Sequence, residues 1–191
     1  FGVGDSIKFE AALLEKHSIT VHAFDPTPTA LSYVESLRTP VGFYFHPWAV
    51  AGSDTTLTLY PRFTHRDRKS DTLWTSEAGQ SKPGSASIEV PALTIHSIMR
   101  ELGHSHVDFV KLDVEGAEYD VIDSMLARVI LPTQLLVEFH HRFAGIGKKR
   151  TREYIDKLKT AGYDIFGVSR TGRELSFIRA RSESEPTIKP T

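Results

Sequence analysis

The densest chemistry in this sequence lies in Lys111-Leu112-Asp113-Val114-Glu115-Gly116-Ala117-Glu118, where a lysine and three carboxylates crowd one short run. Lys111, Asp113 and Glu115 alternate at period two, so a strand persisting that far sends their side chains out on one face at its carboxyl end. Glu138 and His140 repeat the spacing. A lysine, carboxylates and an imidazole converging on one crevice can deprotonate an acceptor hydroxyl and orient it. Asp113 and His140 are the candidate bases, because burial and neighbours tune both a carboxylate and an imidazole toward neutral pH. The same residues admit two other uses. Lys111 can form an ion pair with Asp113 or Glu115 that only fixes the strand end. Asp113, Glu138 and His140 can instead hold Mg²⁺ or Mn²⁺, which favour oxygen ligands with an imidazole. The remaining histidines show no paired helical spacing, and no zinc site is expected.

A second group lies at the amino end. Gly2 and Gly4 let the backbone approach a ligand closely where a strand turns into a helix whose amino end is partially positive. Asp25, followed by Pro26, ends the next strand roughly 20 residues later, the separation at which a carboxylate receives ribose hydroxyls in nucleoside-binding sheets. Its alternative use is to cap the helix that Thr27 also caps. Trp48 and Ala49 end a further strand and offer an aromatic face or a backbone amide to a base ring, unless Trp48 serves the core. The run Gly2-Val3-Gly4-Asp5-Ser6-Ile7 lacks the third glycine of a dinucleotide fingerprint, and Asp5 repels a diphosphate. Asp5 suits the ammonium or sulfonium of S-adenosylmethionine, a nucleoside without phosphate. NAD, and an NAD-dependent oxidoreductase with it, is disfavoured.

These residues need a scaffold, and the composition supplies one. The chain has 191 residues, 40% hydrophobic and 25% charged, which suits a single domain with a sizeable core; we expect it to span 1–181, with a flexible tail at 182–191. Lys plus Arg number 23 against 24 Asp plus Glu, so no global field draws nucleic acid or an anionic membrane. With no cysteine, disulfides, Cys-ligated zinc, iron–sulfur clusters and thiol catalysis are all excluded. No run approaches the ~18 apolar residues of a membrane span. Compartment stays open, with the cytoplasm as the default. The chain opens at Phe1 without an initiator Met or a basic-then-apolar leader, and the first strand is expected to run through residues preceding it. The basic groups Arg62, Arg66, Arg68 and Lys69, and Lys148, Lys149, Arg150 and Arg152, read as solvated faces. The first of them also suits a phosphorylated or acidic glycan acceptor.

Periodicity then places the elements. A helix beginning at the glycines carries Phe9, Ala12 and Leu13, with Asp5 or Ser6 as its cap. Ile19 to Phe24 is a strand, roughly 28 to 38 a helix started by Thr27-Pro28, and Phe43 to Val50 a strand continuing past Pro47. Thr56 to Tyr60 forms a small hairpin partner. From Pro61 to about Ala86 no periodicity survives, and a connection of roughly 25 residues, where about 4 to 6 is usual, reads as a lid or a disordered loop. Helix 94–102, strand 107–113, a helix bearing Ala117, Val121, Ile122, Met125 and Leu126, strand 135–139 and a helix through Tyr154 and Leu158 follow. Strands at 165–168 and 175–178 close the chain. This order implies a Rossmann-like, doubly wound, mostly parallel α/β sheet with an antiparallel C-terminal edge hairpin. Ligands then lie at one crevice formed by Gly2 to Asp5, Asp25, Trp48 to Val50, Asp113 to Gly116 and Glu138 to His141.

The run 111–118 resembles the signature of FkbM-type methyltransferases, and Phe1-Gly2-Val3-Gly4-Asp5 with Phe24-Asp25-Pro26 resembles their cofactor-binding turns. The resemblance covers most of residues 1 to 180. It implies an S-adenosylmethionine-dependent O-methyltransferase with a Rossmann-like class I fold, with Gly2, Gly4 and Asp25 at cofactor contacts. It implies a hydroxyl acceptor on a sugar, glycan or small natural product. The acidic residue that usually precedes the first glycine pair is absent, and so is a later glycine. A domain of another class, keeping the fold and the ligand but serving as a catalytically silent binding module, is the alternative.

Overall fold

The structure is a computed structural model and describes residues 1–63, 69–76, 86–143 and 145–180. Helix α1 (Lys8–Lys16) follows the glycine turn and leads to strand β1 (Val21–Phe24). Asp25-Pro26-Thr27-Pro28 turns the chain into α2 (Pro28–Glu35). Thr27 Oγ1 accepts from Ala30 N at 3.3 Å, and Pro28, with no N–H to satisfy, opens the first turn. Strands β2 (Phe43–His46) and β3 (Ala49–Val50) come next, then β4 (Thr55–Phe63), β5 (Lys69–Thr75) and β6 (Ile88–Leu93). Thr94 caps α3 (Ile95–Glu101) by accepting from Ser97 N at 3.1 Å. Strands and helices then alternate through β7 (Phe109–Leu112), α4 (Glu118–Ala127), β8 (Gln134–Glu138), α5 (Gly147–Thr160), β9 (Tyr163–Val168) and β10 (Glu174–Arg179).

The fold is mixed α/β, with small sheets rather than one large one. β1 pairs with β2 in parallel. A second sheet runs β7-β8-β10-β9, parallel between β7 and β8 and antiparallel where β10 meets β8 and β9. A third runs β3-β6-β4-β5, parallel between β3 and β6 and antiparallel where β4 meets β6 and β5. Residues 1 and 2 stitch the ends of β1 and β7 together. Gly2 N donates to Phe24 O at 3.0 Å, the Phe1 nitrogen to Lys111 O at 2.8 Å, and Asp113 N to Phe1 O at 3.1 Å.

Several expectations are corrected. Where one doubly wound, mostly parallel sheet is expected, strand pairing among the described residues gives three small ones, two of them mixed. The strand drawn through Pro47 is two strands in different sheets; proline has no N–H to give the ladder. The polar stretch 61–86 is no bare loop: β4 runs on to Phe63 and β5 covers Lys69–Thr75, while 64–68 and 77–85 lie outside the described residues. Strand β6 was not foreseen, since Glu89 and Pro91 break its apolar run, yet both alternate with buried Val90 and Ala92. Helix α1 starts at Lys8 with Ile7 at the N-cap position, and Ser6 Oγ accepts from the first helical amide, Lys8 N, at 3.5 Å. The C-terminal hairpin is antiparallel as expected, with β9 outermost.

The largest core cluster joins α3, α4 and α5 to the second sheet through Ile98, Leu112, Ile122, Leu135, Leu158 and Phe177. A second packs Val3 and Ile7 against Ala23, Ala30 and Phe43, which is how the glycine turn is anchored. The third, built on Ala49, Leu59, Val90 and Ala92, fixes the β4–β5 hairpin beside the strand ends. No helix among the described residues is long and apolar enough to cross a membrane.

Candidate functional site

A cavity of about 260 Å³ opens where the strands end. It is lined by Gly2, Gly4, Asp5, Asp25, Pro26, Trp48 and Ala49, and by Asp113 and Glu115. Four of the five expected strand ends therefore meet. The fifth does not, since Glu138 to His141 contribute nothing to the lining. The aromatic side of the cavity continues a ring stack in which Phe24 lies 4.7 Å from Phe1 and 4.8 Å from His46, with Trp48 at 5.0 Å from His46.

Asp25 is 6% exposed and directs its carboxylate into the chain. Oδ2 accepts from Val3 N and Gly4 N, both at 2.9 Å, and Oδ1 accepts from Thr27 N at 2.9 Å and Thr27 Oγ1 at 2.6 Å. A carboxylate has about four lone-pair sites, and four donors of the chain already address them. Asp25 is thus the clamp that holds the glycine turn against the start of α2. Gly2 and Gly4 adopt φ of 86° and 57°, a conformation glycine enters without a Cβ penalty. At Gly4 a Cβ would meet nothing within 4 Å, so this turn faces open space.

Strand β7 stops at Leu112, and the period-two alternation expected of Lys111, Asp113 and Glu115 stops with it. A turn does the work instead: Glu115 takes φ 51°, an uncommon conformation for a side chain of its size, and Gly116 takes 112°. Glu115 and Asp113 reach the cavity through this turn. Its geometry is held by Glu118, which is fully buried at the start of α4 and accepts from Gly116 N at 3.2 Å and Val114 N at 3.4 Å.

His140 sits behind the turn, 5% exposed, between two carboxylates. Its Nδ1 lies 2.6 Å from Glu118 Oε1 and its Nε2 3.2 Å from Glu115 Oε2. Burial works to strip its proton, but the hydrogen bonds and charges of Glu115 and Glu118 outweigh burial and push its pKa up to about 10. An imidazole so held is an imidazolium at neutral pH and does not accept a further proton. Asp113 differs: burial raises its carboxyl above the ordinary carboxylate range, against the pull of Lys111 and His140. Of the two candidate bases, Asp113 lines the cavity and His140 does not.

Lys111 Nζ lies 3.8 Å from Asp113 Oδ2 and donates to Gly2 O at 3.5 Å, the ion pair weighed from the sequence. Glu138 pairs with Arg173, Nη1 to Oε1 at 3.4 Å, and burial, then Asp113, raises its pKa. It is not grouped with Asp113 and His140 as a candidate ligand set; Glu115 is, its ligand atom lying within 4.8 Å of theirs.

The sequence did not point to Leu57, Leu59, Trp74, Thr75 or Ser76, all lining the cavity from β4 and β5, nor to the role of Glu118. The alternation of Leu57 and Leu59, and of Leu73 and Thr75, was the available signal, as was a glutamate leading an apolar helical stripe. Thr75 Oγ1 donates to the Glu115 carbonyl at 2.8 Å and joins the hairpin to the turn. Trp74 Nε1 is buried with no hydrogen-bond partner among the described residues. Three further histidines gather beside β1: His22 Nδ1 and His46 Nε2 are 2.9 Å apart, and the His104 ring stands edge-on to His22. The side chains of Arg62, Arg66, Arg68 and Lys69 lie outside the described residues. Arg150 pairs with Asp120 at 3.0 Å and Lys149 with Glu153 at 3.9 Å, as solvated faces do.

The family model described as methyltransferase FkbM domain matches residues 3–165. The match takes in the glycine turn, Asp25, the 111–118 turn and His140. Searches of curated proteins and of solved structures returned no match.

Proposed function

Starting from a chain that belongs to the FkbM methyltransferase family over residues 3–165, we propose that it is an S-adenosylmethionine-dependent O-methyltransferase acting on a hydroxyl of a sugar, glycan or small natural product. The supporting observation is one cavity that carries the glycine turn, Asp5, Trp48 and the Asp113 carboxylate together. At about 260 Å³ it takes a nucleoside-sized body, just under the ~300 Å³ at which compact ligand sites begin. The residues fit the cofactor in three respects. Gly4 faces open space, exposed Asp5 offers a charge to an ammonium, and the buried Trp74 Nε1 is an unused donor in the lining. The stitching of β1 and β7 through residues 1 and 2 supports a Rossmann-like reading of this region.

When bound there, S-adenosylmethionine supplies an electrophilic methyl group on a sulfonium. The chain does the rest. Phe24, Trp48, Val50, Leu57 and Leu59 give the cavity an apolar wall that would exclude water and could receive a base ring. Asp25 keeps the Val3 and Gly4 amides in place. Asp113 would take the acceptor's hydroxyl proton while the methyl carbon exchanged its bond to sulfur for one to oxygen, the thioether S-adenosylhomocysteine being the leaving group, and Lys111 limits how far the Asp113 carboxyl is raised. His140, already charged, orients Glu115 rather than exchanging protons.

Calorimetry with S-adenosylhomocysteine and with NAD, followed by labelled methyl transfer to hydroxyl acceptors, tests this. Homocysteine-nucleoside binding with transfer supports it. Binding without transfer to any acceptor points to the silent module, and preference for NAD overturns it.

A further inference from the structure

We propose that Asp113, Glu115 and His140 bind one divalent cation, Mg²⁺ or Mn²⁺, at the edge of the cavity. Its use rests on the methyl-transfer reading above, but its existence does not. Each residue offers one ligand atom, and these atoms all lie within 4.8 Å of one another. An ion held at about 2.0–2.2 Å sets its ligands roughly 3–4 Å apart, so small side-chain rotations suffice to gather them. Two carboxylate oxygens with one imidazole nitrogen are the donors these ions favour.

The second observation is Glu118. Its carboxylate can only accept, so the 2.6 Å contact places a hydrogen on His140 Nδ1 and leaves the Nε2 proton, held toward Glu115, as the one an arriving ion would displace. A buried carboxylate orienting the far nitrogen of an imidazole is the usual support of a metal-ligating histidine. Glu118 is fully buried, and its Oε2 has no hydrogen-bond partner. Charge agrees with this. Among the described residues, the carboxyl groups of Asp113, Glu115, Glu118 and Glu138 gather around Lys111, Arg173 and the charged His140, a surplus of one negative charge that becomes two when an ion displaces the Nε2 proton of His140. Asp113 and Glu115 line the cavity and His140 does not, so the ion's remaining positions face the space where an acceptor oxygen arrives. There it lowers the hydroxyl's pKa, and Asp113, bound through one oxygen, keeps the other for the proton.

The test is Mn²⁺ titration of the whole chain without cofactor, read by electron paramagnetic resonance and calorimetry. We expect one ion per chain, nitrogen hyperfine coupling from an imidazole, and loss of that coupling in His140→Gln. Glu115→Gln should weaken Mn²⁺ binding at least tenfold, and Glu118→Gln roughly 10- to 100-fold through orientation alone. Should His140→Gln fail to fold, the partly accessible Glu115→Gln variant still decides the question. No binding, or binding indifferent to Glu115→Gln, overturns the proposal and leaves the buried residues as a structural ion triad. S-adenosylhomocysteine affinity, measured on the same sample, reports separately whether the methyl-transfer reading stands.

Discussion

Gly2 packs so closely on Asp113 that a methyl group at its Cα would lie 1.9 Å from the Asp113 carbonyl oxygen. The glycine turn and the carboxylate turn thus share one van der Waals surface, and φ of 86° at Gly2 adds a backbone reason against any side chain. Gly2→Ala should destabilise the chain by about 2–4 kcal/mol, combining overpacking and a left-handed alanine. Gly4→Ala, with open space around it, should cost only about 1 kcal/mol. Urea melts of both variants check this. Equal losses would show that the contact with Asp113 is not the cause.

Asp25 joins ligand binding to stability. Asp25→Asn turns an amide toward donors that now meet a carboxylate, which should cost about 1–3 kcal/mol of stability through unsatisfied hydrogen bonds. S-adenosylhomocysteine affinity should fall in parallel, because the Val3 and Gly4 amides lose their anchor. A residue serving the ligand alone would lower affinity and leave the melting curve unmoved.

In the proposed reaction Asp113 is the base. Asp113→Asn should lower methyl transfer by about 10² or more while the circular dichroism spectrum is retained. Transfer near the wild-type rate would remove Asp113 as the base.

Trp74 offers a cleaner separation of binding from folding. Trp74→Phe keeps an aromatic ring and deletes a buried donor that has no partner, so the free chain should be unchanged or slightly more stable. Calorimetry should then show ligand affinity down by roughly tenfold, about 1.4 kcal/mol, if that N–H meets the ligand. Unaltered affinity would assign Trp74 to packing only.

The histidine group predicts acid sensitivity. Burial lowers His22 and His46 below their ordinary value of 6.5, helped by the charge of His104 on both and of His46 on His22. The folded state binds these protons more weakly than the unfolded chain. The stability they supply is therefore present above 6.5 and lost as pH falls from there through the lowered values. At the His22–His46 contact one ring nitrogen donates and the other accepts, so both cannot be charged in place. Unfolding midpoints measured from neutral to mildly acid pH should fall, and His46→Phe, which keeps the stack with Phe24 and Trp48, should flatten the fall.

Much of this was legible because local signals carry it. Thr27-Pro28 and Thr94 mark helix starts wherever they stand, and Gly2, Gly4, Asp25 and Trp48 fall at strand ends whose ordering follows from alternation of elements. What stayed hidden depends on long-range partners. Strand β5 disguises its alternation among charged residues and owes its state to β4, and β6 survives a proline because Pro91 alternates with buried neighbours. Lys111, Asp113 and Glu115 share a neighbourhood, yet through a left-handed turn that period-two counting does not contain. Glu118 stands in the 111–118 run with no role of its own in the sequence, and the backbone of the turn and His140, arriving just after β8, give it buried partners.

The hydrogen bond from Thr75 to the Glu115 carbonyl ties a contiguous hairpin to the reactive end of β7 by a side chain rather than by shared strand pairing. Recognition surface and chemical groups thus come from separate stretches of polypeptide joined at a latch. Variation at positions such as Leu57, Leu59 and Ser76 can reshape one wall of the cavity while the turn at Asp113 keeps its form, so the cavity can diversify by drift in one module.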